Sequence, residues 1–387
     1  MPAFKTRINQ ALESRKAQGL TRVLKPLEHS NQAILVDEGK SYVNFSSNDY
    51  LGLASDKELV SAWQQGLDIY GVGSGASPLV SGFSRAHQNL EASLCEWLGF
   101  ERAILFNSGF SANQALIFSL LEKQDTLVQD KLNHASLMEA GINSPASMKR
   151  FKHNDAQHLA KILSNSSDAL VVTEGVFSMD GDKAPLSNIA EQCQIHDAWL
   201  VVDDAHGIGV LGEDGAGSCG QAAVKPDLLI VTFGKAFGLS GAAILCSSEV
   251  GDYLTQFARH HVYSTAMPPS QAHALTHACQ MIQTQQWRRD KLAELQLAYQ
   301  ASLCDLKGYV DTQTPIKPFV CGESHIALAL AEKLKQQQLW TTAIRPPTVP
   351  NGSARLRITL TANHSLEQVN RLGKVIRQAV ESDIGNR

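Results

Sequence analysis

The sequence predicts an α/β fold, a mainly parallel sheet sandwiched by helices with a smaller α+β domain at the C-terminal end. Three observations point there. Between residues 100 and 250, short apolar runs alternate with helical patterns. Those runs are continuous rather than alternating, as strands buried on both faces are. From about residue 285 the pattern changes to amphipathic helices around one alternating strand. The expected division is an N-terminal helix and segment (1–50), a large domain (51–284) and a C-terminal domain (285–387).

In chain order, Phe4, Ile8 and Leu12 of "MPAFKTRINQALESRKAQGL" recur every fourth residue, predicting an amphipathic surface helix that packs beside the C-terminal domain. The stretch lacks the uninterrupted apolar core of a secretory signal. "RAILF" (102–106) reads as a strand and "SANQALIFSLL" (111–121) as a helix. "DTLVQ", "HASLMEAG", "MKRFK" and "AQHLAKIL" continue the alternation. "ALVVTE", "AWLVVDD", "DLLIVTF" and "GAAILCS" add four strands rich in Val, Ile and Leu. Beyond 285, "SHIALALAEKLKQQQ" and "SLEQVNRLGKVIRQAV" are amphipathic helices, "RLRITLT" is an alternating strand, and "RPPTVPNG" is a loop.

The totals narrow the function classes. At 387 residues with 43% hydrophobic and 19% charged positions, the chain can bury a substantial core. A net charge of -4 offers no basic field for nucleic acid, and no apolar run is long enough to span a bilayer. The expected location is cytoplasmic. Seven cysteines with no C-x-x-C pair read as buried, reduced thiols rather than disulfides or a zinc site. "GVGSGA" (71–76) formally fits a dinucleotide fingerprint but follows a helical pattern instead of a buried strand. His273 and His277 stand at ligand spacing without a following glutamate, so they, like His260 and His261, read as solvated histidines; no metal is expected.

In open α/β sheets ligands bind beyond the carboxyl ends of the strands. Ser108, Gly109 and Phe110 follow "RAILF", and His134 follows the next strand. Ser178 lies after "VVTEG", Asp203 and His206 end "LVVDDAH", and Thr232 and Lys235 end "LLIVTFGK". Singly, each has a bland explanation: a loop lysine, a helix cap, a structural histidine. Together they match one ligand. A small-residue turn opening a helix holds a phosphate; Asp203, costly to bury as a lone charge, suits a protonated pyridine nitrogen; Lys235 can form an imine with an aldehyde; and His134 has a flat ring for stacking. Phosphate, aldehyde and pyridinium describe pyridoxal 5′-phosphate. Gly234 and Gly238 are expected to let the backbone turn around Lys235.

"DDAHGIGVLGEDGAG" followed by "TFGKAFG" resembles the α-oxoamine synthases, of the aspartate-aminotransferase fold of pyridoxal-phosphate transferases. The similarity continues through "NFSSNDYLGL" (44–53), "GSGASPLVSG" (73–82), "HQNLEASLCEWLGF" (87–100), "TEGVFSMDGD" (173–182) and "RPPTVPNGSARLRITLTANH" (345–364). Within the family, "TAIRPPTVP" is most similar to the biotin-pathway branch. That implies a cytoplasmic acyltransferase, a homodimer, that condenses L-alanine with a pimeloyl thioester, carried by coenzyme A or acyl carrier protein, with loss of carbon dioxide. The glycine C-acetyltransferase, 5-aminolevulinate synthase and serine palmitoyltransferase branches are the alternatives within the family, and a non-catalytic binding module on the same fold is the alternative outside it.

The resemblance also implies roles. Lys235 would be the imine lysine and base, Asp203 the pyridinium partner, and His134 the ring-stacking and substrate-handling residue. Ser108, Gly109 and Phe110 would form the cofactor cradle, Ser178 and His206 would bond the ring hydroxyl region, and Thr232 would touch the phosphate. Ser264 and Thr265 of "YSTAMPP" resemble a phosphate contact supplied by a second subunit. Asn48, Thr348, Arg357 and the N-terminal Arg22 resemble substrate-side residues.

Overall fold

In the computed structural model, which describes residues 2–18 and 20–384, three sheets organise the chain. β1 (Ile34–Asp37) and β2 (Lys40–Asn44) form an antiparallel hairpin. The central sheet takes β3 (Arg102–Phe106), β4 (Thr126–Asp130), β5 (Ser147–Phe151), β6 (Ala169–Glu174), β7 (Trp199–Asp203), β8 (Leu228–Thr232) and β9 (Ala242–Cys246). Its spatial order is β3-β9-β8-β7-β6-β4-β5, and β9 alone runs against the other six. β10 (Ile316–Gly322), β12 (Thr342–Ile344) and β13 (Ala354–Thr359) form an antiparallel sheet in the order β10-β13-β12. The two-residue β11 (Leu339–Trp340) pairs in parallel with β2, so the hairpin is joined to the C-terminal third.

The inner strands lack alternation because they supply two apolar layers, whereas the edge strand β5 is buried only at Phe151. Ala103, Leu105, Leu229, Val231, Ala243 and Leu245 enter one core; Ile104, Phe106, Leu228, Ile230, Ala242 and Ile244 enter the other. Successive side chains point to opposite faces, so a strand covered by helices on both sides must be apolar at every position. The parallel strands β4, β6, β7 and β8 therefore end together at one rim, each handing its last polar residue to the same space.

Four local expectations are corrected. In the helix Pro2–Ala17, Phe4, Ile8 and Leu12 are 68%, 59% and 62% exposed, so their row does not pack on the C-terminal domain. Three large apolar residues in sixteen make a stripe too narrow to dock. β13 is buried along its whole length rather than on one face, because its arginines find partners: Arg355 pairs with Asp180, and Arg357 donates to the Ser178 carbonyl. His261 is buried, not solvated, with Nδ1 3.3 Å from the Leu105 carbonyl and its ring edge on Phe106. Among the cysteines Cys304, just past the helix Trp287–Leu303, is exposed, while Cys193, Cys219, Cys246 and Cys279 are buried thiols.

One ionic knot braces the rim. His153 Nδ1 lies 2.9 Å from Asp130 Oδ1, its Nε2 lies 2.7 Å from Asp182 Oδ2, and its ring stands edge-on to Phe177. Two carboxylates leave both ring nitrogens as donors. Burial alone would lower the imidazolium pKa, but the two acids outweigh it and raise it to about 10 from the ordinary 6.5. A pKa raised on folding gives stability that is complete below about 6.5 and gone above about 10. His153→Gln is expected to cost about 1–3 kcal/mol at pH 6. In urea unfolding across pH, its deficit against the wild type should shrink steadily towards pH 10; a constant deficit would discard the ionic account.

Candidate active site

The site is assembled from strand ends. After β3, Ser108 caps the helix Gly109–Leu120, its Oγ accepting from Ser111 N at 3.1 Å. A Cβ on Gly109 would stand 2.6 Å from Thr232 Cγ2, so only glycine lets this helix end approach the end of β8. The helix N-terminus and the Thr232 hydroxyl then form a cradle for an anion. After β4, His134 caps the helix Ala135–Asn143. Glu174 and Asp203 are paired neighbours at the ends of β6 and β7.

Lys235 sits in the turn after β8. Of its two flanking glycines, Gly238 has φ +69°, and a Cβ there would meet Ala54 N at 2.4 Å; Gly234 has no such constraint. The turn is thereby pressed against the "NDYLGL" loop, which Asp49 holds by accepting from Leu53 N at 2.8 Å and Ala54 N at 3.1 Å.

A cavity of about 310 Å³ collects nine of the expected residues: Asn48, Ser108, Gly109, Phe110, His134, Asp203, His206, Thr232 and Lys235. Others lie elsewhere. Ser178 does not line the cavity; its carbonyl accepts from Arg357 Nε at 2.6 Å, and Arg357 Nη1 donates to Asn48 Oδ1 at 3.0 Å. Arg357 thus reaches the site through Asn48. The Thr265 carbonyl accepts from Asn107 Nδ2 at 2.9 Å at the cavity edge, beside the half-buried Ser264. Arg22 and Thr348 are exposed and line no part of it.

The sequence reading missed four polar residues here. Tyr50, fully buried, places its hydroxyl 2.6 Å from His206 Nδ1. Asn113 and Ser136 are buried on the helices opened by Ser108 and His134. Glu174 is buried beside Asp203 with Oε1 unpartnered. Each sits inside a stretch that could have flagged it: Tyr50 in "NDYLGL", Glu174 at the end of "ALVVTE", Asn113 one turn into its helix and Ser136 in the first turn of its own, both helices opening on the rim.

Charge is arranged for proton chemistry. Burial holds the Lys235 amine below its ordinary pKa, with Asp203 and Glu174 pulling it back and Arg357 pushing it further down. His206 lies well below its ordinary value through burial, then through the charges of Lys235 and Arg357. Burial, then Asp203, keeps Glu174 well above the ordinary carboxylate range. Two imidazoles and an amine shifted down and a glutamic acid shifted up, each chiefly by burial, thus stand around Asp203. The residues fit pyridoxal 5′-phosphate group by group: anion at Gly109 and Thr232, aldehyde at Lys235, ring cation at Asp203, flat ring at His134. Among the described residues no group of three His, Cys, Asp or Glu is placed to hold a metal.

The model of the family described as aminotransferase class I and II matches residues 40–376. The 8-amino-7-oxononanoate synthase of Vibrio atlanticus (strain LGP32) is 71% identical over 381 residues, covering 98% of this chain and 94% of that protein. Among solved structures, serine palmitoyltransferase of Sphingomonas wittichii superposes with a TM-score of 0.90 at 29% identity, covering 98% of each chain. The 8-amino-7-oxononanoate synthase of Francisella tularensis superposes at 0.78 with 30% identity, covering 89% of this chain and 99% of that one.

Proposed function

We propose, from the premise that this chain belongs to the 8-amino-7-oxononanoate synthases of the class I and II aminotransferase family, that the cavity at the strand ends performs their reaction through Lys235, Asp203 and His134. The reaction joins L-alanine to a pimeloyl thioester and releases carbon dioxide and the thiol, a step towards biotin. Pyridoxal 5′-phosphate, when bound, supplies the electron sink for charge left at the alanine α-carbon and again when carbon dioxide leaves.

The chain's own residues do the rest. With the cofactor bound, Lys235 Nζ would hold its aldehyde, and the same amine, when free, would take the proton from the alanine α-carbon; a half-buried amine with a lowered pKa suits that base. Asp203 would keep the ring nitrogen protonated, and His134 would lie against the ring and handle substrate. Ser108, Gly109, Phe110 and Thr232 would hold the phosphate, and His206, steadied by Tyr50, would meet the ring oxygen; Ser178, outside the cavity, would act through its bond to Arg357. Asn48, at the cavity, and Arg357, bonded to it, would face the substrate, while Arg22 and Thr348 lie outside the cavity and take a substrate-side role from the resemblance of their motifs alone.

The single observation that carries this is the convergence of a half-buried amine, a buried carboxylate and an open helix N-terminus in one cavity of about 310 Å³. The test pairs alanine, glycine or serine with pimeloyl, acetyl or palmitoyl thioesters and measures product by mass. Alanine with pimeloyl thioester should dominate; preference for glycine with acetyl, or serine with palmitoyl, would overturn the assignment. Arg357→Ala is expected to raise the KM for alanine about tenfold to a hundredfold, the worth of a charged hydrogen bond, with a smaller change in kcat. An unchanged KM would remove Arg357 from the substrate side.

The active unit is a homodimer in which Ser264 and Thr265 complete the partner's phosphate site. Exposed Val72, Val80 and Tyr263, more than three-quarters open in the single chain, support a covered surface. The Ala266 N to Ala76 carbonyl bond, 3.0 Å, ties their two loops together. Sedimentation should give twice the chain mass. The unpaired cysteines suit a reducing cytosol, and no helix among the described residues is long and apolar enough to cross a membrane.

A further inference from the structure

We propose that Asn113 and Ser136 are positioning residues: through one buried chain of hydrogen bonds they orient Asp203 and fix the single proton of His134 on Nε2. The chain runs through four side chains. Asn113 Nδ2 lies 2.8 Å from Asp203 Oδ2 and 2.9 Å from Ser136 Oγ, and Ser136 Oγ lies 2.8 Å from His134 Nδ1. Asn113, Ser136 and Asp203 are 1%, 0% and 5% exposed, so water cannot substitute for the two links among them, while His134 at the other end is exposed on the cavity side.

The proton on each link follows from its partners. Ser136 N, which can only donate, points at His134 Nδ1 from 3.3 Å, so Nδ1 carries a lone pair. With no proton on that nitrogen, the Ser136 hydroxyl must donate to it. The hydroxyl oxygen is then free to accept one amide hydrogen of Asn113, whose other amide hydrogen goes to Asp203. Turning the amide over would set its carbonyl oxygen against the Asp203 carboxylate, acceptor facing acceptor. The direction is therefore unique from Asp203 to His134, and the remaining imidazole proton stands on Nε2.

Two further features agree. Asp203 Oδ1 accepts from Ala205 N at 3.1 Å, so both carboxylate oxygens are held by this chain's own donors. Asn113 Oδ1 is buried without a partner, a cost the fold bears while both amide hydrogens are engaged. The charged groups around His134 are Asp203, Lys235 and Glu174; burial is the largest influence and favours the neutral ring. A neutral His134 offering Nε2–H presents a donor, whereas the other tautomer would present an acceptor.

The effect on catalysis rests on the function proposed above; the tautomer does not. The experiment is 15N spectroscopy of histidine-labelled full-length holoenzyme and of the same chain without cofactor. The His134 signals are assigned by their loss in His134→Gln. The wild type should show a protonated Nε2 and an unprotonated Nδ1. Ser136→Ala should mix the two tautomers and lower kcat by about tenfold with little change in the thioester KM, the scale typical of outer partners of a functional histidine. Ser136→Thr, which keeps the hydroxyl, should restore both; Asn113→Leu should also disturb the His134 signals although it does not touch that ring. A wild-type Nδ1 proton would overturn the proposal, as would Ser136→Ala and Asn113→Leu variants with unchanged signals, or a Ser136→Ala kcat within about twofold of wild type. If the wild type makes no 8-amino-7-oxononanoate yet shows the expected tautomer, the functional assignment fails and the hydrogen-bond chain stands.

Discussion

Lys235→Ala is expected to leave a folded protein with no measurable condensation and no covalently held cofactor. The fold should survive because the turn does not depend on the lysine side chain. Gly238 N donates to the Lys235 carbonyl at 2.9 Å, Leu239 N to the Phe233 carbonyl at 2.9 Å, and Phe233 N to the Gly241 carbonyl at 2.9 Å. Phe233 and Phe237, fully buried and in edge contact at 5.0 Å, pin the turn on both sides of residue 235. The chemistry should not survive. Losing a positioned base costs about 10²–10⁴-fold in rate, and losing the covalent link adds to that. Two measurements separate the roles. Borohydride followed by intact mass should add a cofactor-sized increment to the wild type and none to the variant. An added small amine should restore part of the rate by replacing the missing base. Turnover within about tenfold of wild type would end Lys235's place in the reaction.

The sheet was legible because burial on both faces forces an unmistakable pattern. β6, read as "ALVVTE", is Ala169–Glu174, and the helix "AQHLAKIL" is Ala156–Leu163, residue for residue. Legibility failed where polar groups are buried in pairs. β13 reads as half-exposed because "RLRIT" alternates, yet Arg355 and Arg357 are buried against Asp180, Ser178 and Asn48, more than a hundred residues away. Alternation reports polarity, and polarity implies exposure only when no distant partner exists. The N-terminal row of Phe4, Ile8 and Leu12 shows the converse, a periodic apolar pattern with nothing in its own chain to cover it.

The same distinction divides the site. Residues at strand ends, Asp203, Thr232 and Lys235, could be placed because the topology of a parallel sheet brings its carboxyl ends together. Asn113 and Ser136 lie in the first turns of neighbouring helices, and Tyr50 in a loop. Their significance comes from hydrogen bonds that span 90 residues from Asn113 to Asp203 and 156 from Tyr50 to His206. Nothing in an asparagine, a serine or a tyrosine marks it as such a link until both ends are in place.

Asp203→Asn should lower kcat by about 10²–10³-fold, the scale of removing one preorganised electrostatic group, while the cofactor stays attached to Lys235. The carboxylate is built to accept: Asn113 Nδ2 reaches one oxygen at 2.8 Å and Ala205 N the other at 3.1 Å. An asparagine offers one acceptor and one donor, so one of those contacts becomes donor against donor, and the ring nitrogen loses the charge that keeps it protonated. The loss should also move the pH profile in a defined direction. Asp203 pulls the Lys235 pKa up against burial, so removing its charge lets that pKa fall further. The free amine would then persist to lower pH, and the ascending limb of kcat against pH should shift to the acid side as its maximum collapses. Glu174 should move the same way, since Asp203 is the second cause, after burial, of its raised pKa. A low plateau with an alkaline shift, or an unchanged kcat, would refute the assignment of Asp203 as the cation's partner. A collapsed rate with an acid-shifted limb and retained covalent cofactor is the signature that only an electrostatic role produces.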